Sequence, residues 1–321
     1  MERDKPMSVA AKEQRVREPV PSAAEQTRLS WARLVRSREE LPPAYHGFFA
    51  ARPAGEPFPH AVLTPTFAGF MRRETEKLVC CLDEQLIILE KTSGEPKCTT
   101  FRLNDLNYVE IGAVLLKAWI NLQGRANAET TLTTITLRYN AVTDWLFAPF
   151  IHQIRGAAAN PIEFPHEAEL SKLDDVPLLS FKFRNYARRS LLPGDRLIAA
   201  LAQPEIRRPV IRIGRWTYQR TIATAHVLLL TDRELIIIRD DPDSPQSFDN
   251  TRYGGVWQYI PLGKIERITR QDKGAGVLAV SLDLPLGSRI ESLFPVERRA
   301  DVEQFVTQLS EWAPEAALQR A

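Results

Sequence analysis

Residues 227–239 read Val-Leu-Leu-Leu-Thr-Asp-Arg-Glu-Leu-Ile-Ile-Ile-Arg. Two short apolar runs flank the polar stretch Asp232-Arg233-Glu234, and the second run is rich in β-branched residues. Runs this short, with this composition and a turn between them, read as a hairpin of two buried strands. Residues 78–90, Leu-Val-Cys-Cys-Leu-Asp-Glu-Gln-Leu-Ile-Ile-Leu-Glu, carry the same pattern. Asp83 falls on Asp232, Leu86 on Leu235 and Ile88 on Ile237, so the chain contains an internal repeat.

Working outward, further blocks match in the same order. Gly55-Glu56 and Leu63-Thr64-Pro65 match Gly194-Asp195 and Ala202-Gln203-Pro204. Residues 101–111 match 260–270, with Leu103 on Leu262, Leu106 on Ile265 and Val109 on Ile268. Residues 116–122 match 278–284, and both alternate apolar with other residues as half-buried strands do. The offset changes only in the gaps, as unequal loops would make it. Residues 150–154 and 305–309 close the series with a helical period: Val302, Phe305, Val306, Leu309 and Trp312 share one face, and Pro314 ends it. In the first copy the corresponding stretch, 140–155, contains Pro149, which predicts a kinked or late-starting helix. Each copy is expected to hold six or seven strands, curled into a barrel that the helix plugs.

That order of elements resembles the pleckstrin-homology-like superfold, in its bacterial pleckstrin-homology and GRAM-type forms. The resemblance is carried by Leu-Leu-Pro-Gly-Asp-Arg-Leu-Ile-Ala-Ala-Leu (191–201), by the hairpin at 228–238, and by Tyr-Ile-Pro-Leu-Gly-Lys-Ile-Glu-Arg-Ile (259–268). It covers residues 55–156 and 191–312. The first copy departs from it, with Leu82 where the second has Thr231 and Phe101-Arg102-Leu103 in place of Ile260-Pro261-Leu262. The resemblance implies a mainly β (α+β) protein of two tandem barrels, with the hairpin as strands three and four of each. It also implies a binding or scaffolding role, since such barrels hold lipid headgroups, peptides, proteins or copies of themselves.

The expected organisation is a disordered tail over 1–21, a helix over 22–41, one domain over 42–156, a linker over 157–190 and a second domain over 191–313. Ser22 and Glu25 form a capping-box pattern. The stripe Trp31, Leu34, Val35 and Leu41 would then dock on its own domain or lie on a membrane. Residues 181–189, Phe-Lys-Phe-Arg-Asn-Tyr-Ala-Arg-Arg, read as a packed connector or as part of a basic surface. Of 321 residues, 44% are hydrophobic and 26% charged, which is ample for two cores. The longest apolar runs are far too short to span a bilayer. With no secretory leader and three cysteines, Cys80, Cys81 and Cys98, read as apolar fillers, the expected setting is cytoplasmic, with peripheral membrane contact open.

No phosphate loop, dinucleotide fingerprint, nucleophile elbow or metal-ligand spacing occurs among the histidines. No enzyme activity, cofactor or metal is expected, and Asp240-Asp241-Pro242-Asp243 reads as a solvated loop. One constellation stands out. Arg207, Arg208, Arg212, Arg215 and Arg220 lie in a stretch with no acid between Glu205 and Asp232, in a chain of net charge +2. By the repeat they fall on the first two strands of the second copy, where the resemblance implies phosphate-binding residues; arginine's planar fork suits phosphate oxygens. The alternative is a charged strand edge that discourages aggregation. The expected partners are a protein or a second copy of the chain, or an anionic membrane surface; nucleic acid is not expected. The rival reading is an enzyme whose site lies between the barrels.

Overall fold

The computed structural model describes residues 22, 25, 28–50, 52–53, 56–68, 73–156, 167–214, 216–246, 252–313 and 317–320. The expected tail over 1–21 lies outside them. The fold is mainly β, built from antiparallel sheets. The deciding hairpins form as read: β5 (Lys77–Leu82) with β6 (Gln85–Glu90), and β14 (His226–Thr231) with β15 (Glu234–Arg239). Their turns differ because residue 82 is Leu and residue 231 is Thr. Asp83 and Glu84 both take positive φ, 50° and 60°. The Thr231 hydroxyl instead accepts from the backbone N–H of Arg233 and Glu234 and donates to the Glu234 carbonyl.

Around each hairpin the same strand order recurs. In the first unit β2 (Ala61–Leu63), β5, β6 and β7 (Lys97–Arg102) lie side by side, and β8 (Leu106–Val114), β9 (Lys117–Arg125) and β10 (Leu132–Asn140) follow. In the second, β11 (Leu197–Gln203), β14, β15 and β16 (Gly255–Pro261) precede β17 (Arg267–Asp272), β18 (Val277–Leu284) and β19 (Ser288–Pro295). Each unit inserts a hairpin after its first strand: β3 (Phe67–Ala68) with β4 (Arg73–Glu74), and β12 (Ile206–Ile213) with β13 (Trp216–Ala223). In the second unit β11 leads into β12 and β13 into β14, as two long paired strands. The 228–238 hairpin therefore joins the second and third long strands, not the third and fourth.

The expectation of two separately closed barrels is not met. Among the described residues no sheet closes on itself, and one seven-stranded sheet, β10-β9-β8-β16-β15-β14-β11, runs across both units. The cause is edge pairing. β8 and β16 are each the last strand at an open edge, and they hydrogen-bond to each other from Gly255 opposite Ala113 to Tyr259 opposite Val109. The approach is close enough that a Cβ on Gly254 (φ +70°) would sit 2.0 Å from the Ala113 carbonyl oxygen.

The apolar runs are continuous, not alternating, because these sheets are buried on both faces. In β14 and β15, Leu228, Leu230, Leu235 and Ile237 face the interior of the second unit. Val227, Leu229, Ile236 and Ile238 face outward into a core shared with the first unit. The outer face is covered by α3 (Phe181–Ser190), through Phe183 and Ala187, while α2 (Ala148–Ile154) buries Phe150 against His60 and Phe147 of the first unit. In the first unit α1 (Pro43–Ala50) covers the outer face of β5 and β6 with Tyr45 and Phe49. The repeat thus includes a helix ahead of each set of strands. α2 starts late, at Ala148, with Pro149 in its first turn, and a 3-10 turn over Ala141–Phe147 precedes it. The 181–189 segment is a packed connector: Tyr186 rests on Trp257 with ring centroids 4.8 Å apart.

The expected helix over 22–41 is cut short: residues 25, 28 and 29 are helical, and residues 33–35 are not. The capping box forms, with Ser22 N–H donating to the Glu25 carboxylate at 2.7 Å. Beyond it the chain turns, and β1 (Arg33–Val35) adds to the sheet edge, Val35 opposite Ala61. Backbone pairing with an open edge outweighs helical spacing here, and Pro43 opens α1 where it was expected to end a helix.

The C-terminal helix α4 (Arg299–Trp312) buries Val302, Phe305, Val306 and Leu309 in the second core. Phe305→Ala should lower unfolding free energy by about 3–5 kcal/mol in urea denaturation. A loss below about 1 kcal/mol would mean that this helix does not anchor the core.

Candidate functional site

The β12–β13 arm stands out from the core at one end of the seven-stranded sheet, turning at Gly214 (φ +59°). Its register decides what the arginines can do together. Arg208 lies directly opposite Arg220, and Ile211 directly opposite Tyr218. Directly paired residues share a face, and Tyr218 and Arg220 are two apart, so all four lie on one side of the arm. Ile211 and Tyr218 are 54% and 68% exposed. Arg220 is exposed and Arg208 half-buried, its guanidinium beside Gly276, and neither has an ion-pair partner among the described residues. An anion would find in each a planar donor able to make charge-assisted hydrogen bonds.

The other three arginines stand apart. Arg207 is tied to Glu205, Nε to carboxylate at 2.7 Å. Position 212 lies opposite Thr217, because the register shifts between Pro209 and Ile211. One extra residue there reverses the parity that Arg212 would otherwise share with Arg208. Arg215 lies outside the described residues.

At the root of the arm is a cleft of about 520 Å³ between the two units. Several of its charged groups are matched to one another. Glu110, on β8, accepts from Asn121 Nδ2 at 2.8 Å, Gln258 Nε2 at 2.9 Å and Arg239 at 3.1 Å. Trp119 lies across Gly112, where a Cβ would meet the indole at 2.0 Å, and its Nε1 points at the same carboxylate at 3.4 Å. Glu205 holds Thr221 and Arg252 as well as Arg207, and Lys273 holds Glu291 at 3.1 Å. A cleft so paired offers donors and acceptors for binding, and His226 lines it as well.

His226 is the exception in kind. Its Nδ1 lies 3.0 Å from the Thr224 carbonyl, so Nδ1 carries the proton, and Nε2 is buried without a partner. The ring packs on Phe294, 5.1 Å between centroids. Burial depresses its pKa to about 4, with Arg239 and Arg298 adding to the effect and the Thr224 bond opposing it.

Sequence reasoning missed this polar layer. Glu110 carried a signal, an acid between Val109 and Ile111 in an apolar strand. Asp240 is corrected: it does not belong to a solvated loop. It is buried and accepts from Lys182 Nζ at 2.5 Å, burial raising its pKa and Lys182 holding it back. Lys182 is accordingly part of the packing and no surface cation. Cys80 and Cys81 are buried or half-buried, which pushes their thiols up to about 12 and 11. Cys98 is exposed and no core filler. Among the described residues no group of three or more His, Cys, Asp or Glu is placed to hold a metal ion. No helix among them is long and apolar enough to cross a membrane.

No protein-family model matches the chain, and no curated protein matches it significantly in sequence.

The His226 environment sets an acid limit on stability. The folded state holds the ring neutral while the unfolded chain protonates near pH 6.5. This contribution is complete above pH 6.5 and is lost as pH falls towards 4, at up to about 1.4 kcal/mol per pH unit. His226→Asn, which can still donate to Thr224, should flatten the pH dependence of urea midpoints in that window. An unchanged slope would show that His226 is not the group responsible.

Proposed function

We propose that the chain is a non-catalytic interaction module of two pleckstrin-homology-like units that binds an anionic surface through the β12–β13 arm. The observation that carries the reading is the pair Arg208 and Arg220, opposite each other on one side of the arm and without an ion-pair partner among the described residues. The recurring order of four strands, three strands and a closing helix supports the pleckstrin-homology-like assignment. In this reading the units are joined through β8 and β16 and are not closed one by one. The cleft's Glu110, Arg239 and Glu291 are held in ion pairs, which favours binding over catalysis.

Sedimentation with vesicles of phosphatidylcholine mixed with phosphatidylserine tests the proposal at low salt. Arg208→Gln combined with Arg220→Gln should remove roughly 1 kcal/mol per charge, about a 30-fold loss in partitioning. Raising the salt should weaken wild-type binding in the same direction, because the contacts are exposed. Equal binding by the double variant would reduce the arm to a charged strand edge and favour a protein partner.

A further inference from the structure

The exposed apolar side chains are not scattered. Leu115 and Leu116 form the turn between β8 and β9 and are 63% and 55% exposed. Val142 and Trp145 follow the end of β10, where the Ala141 N–H donates to the Leu116 carbonyl. Leu29 and Trp31 flank Ser30, whose carbonyl accepts from Asn140 N–H at 3.0 Å. Tyr253 precedes β16, beside the end of β8. Leu178 and Phe181 precede and open α3, which Lys182 fastens to Asp240 just past the end of β15. Ile211 and Tyr218 sit on the arm, rooted where Gln203 meets His226.

Antiparallel register places all of these at one end of the seven-stranded sheet. They account for every large exposed hydrophobic residue among the described residues. The opposite end supplies the comparison. Its reversals carry Arg125, Asn127 and Glu129 after β9, Asp232 and Arg233 after β14, and Gly263 and Lys264 after β16, with no large exposed apolar side chain. The same sheet is polar at one end and apolar at the other, across roughly 30 Å of strand spacing.

We propose that this apolar rim is a bilayer-docking face, with Leu115, Leu116, Trp145 and Trp31 entering the interfacial zone of the lipid and the arm meeting the headgroups beside them. The inference rests on the surface-binding reading of the arm and adds its apolar half. Turns, a hairpin and a helix start carry the exposed side chains of the rim, which suits insertion into a fluid layer. Tryptophan, tyrosine and leucine at one end of the sheet, beside Arg28 and Lys117, match the chemistry of the lipid–water boundary. Asp144 and Asp243 interrupt the positive charge, so apolar burial has to supply a share of binding that salt does not remove.

The test compares vesicles of phosphatidylcholine alone with vesicles that also contain phosphatidylserine, at low and high salt. Wild type should retain salt-resistant binding to both. Leu115→Ser with Leu116→Ser and Trp145→Ser should lower that component roughly tenfold or more, since exposed apolar groups are being removed. These side chains are exposed, so an unchanged thermal melt is the expected check on folding. The arm variants should lose only the salt-sensitive component, which separates failure of the arm from failure of the rim. Equal salt-resistant binding by the rim variant overturns the proposal and leaves the arm reading intact. Wild-type binding that vanishes entirely at high salt, or no binding to either vesicle, also overturns it; in the second case the rim is left as a contact for a protein.

Discussion

The pairing of β8 with β16 governs the rest of the molecule. A strand edge carries unsatisfied N–H and C=O groups, and each unit ends one of its sheets with such an edge. Joining them satisfies both sets and creates a sheet that belongs to neither unit alone. The constraint reaches into side chains. Glu110 and Gln258 stand opposite each other across the junction, so a carboxylate falls on the seam, and Asn121 and Arg239 are the neighbours that satisfy it. The geometry leaves room only for glycine at residue 254 and for an indole above Gly112.

The second consequence is burial on both faces. Once the sheets are joined, the outer face of β14 and β15 looks towards the first unit, and only apolar residues can fill it. Arg155, at the end of α2, reaches Glu234 at the start of β15 and lies over the Tyr259 ring at 3.9 Å. Burial pushes the Glu234 carboxyl up, and the guanidinium opposes that shift. A buried pair of this kind contributes less to net stability than to orientation, because desolvation offsets much of the attraction. It sets how the helix of one unit meets the turn of the other.

Much of this architecture was legible in the sequence. The runs at 78–89 and 227–238 announced strands, their recurrence announced the duplication, and the spacing of Phe305 and Leu309 announced α4. Even the uninterrupted apolar character of residues 227–230 held the fact of two-sided burial, although not what covers the second face. The remainder depends on distant partners. Residues 33–35 become a strand only because β2 offers an edge. Asp240 is buried only because α3 brings Lys182. The arginine arm was visible as a cluster of charge, but a single inserted residue near Pro209 decides which arginines share a side, and composition does not encode that parity.

The shared core also bears on how the protein can be divided. A chain cut between residues 156 and 181 would part Arg155 from Glu234 and β8 from β16. Each piece would leave one member of a buried ion pair without its partner, and both would expose an unpaired strand edge suited to aggregation. The duplication therefore no longer behaves as two parts. Evolution can vary the loops of either unit freely, but it can lose, swap or transplant them only together.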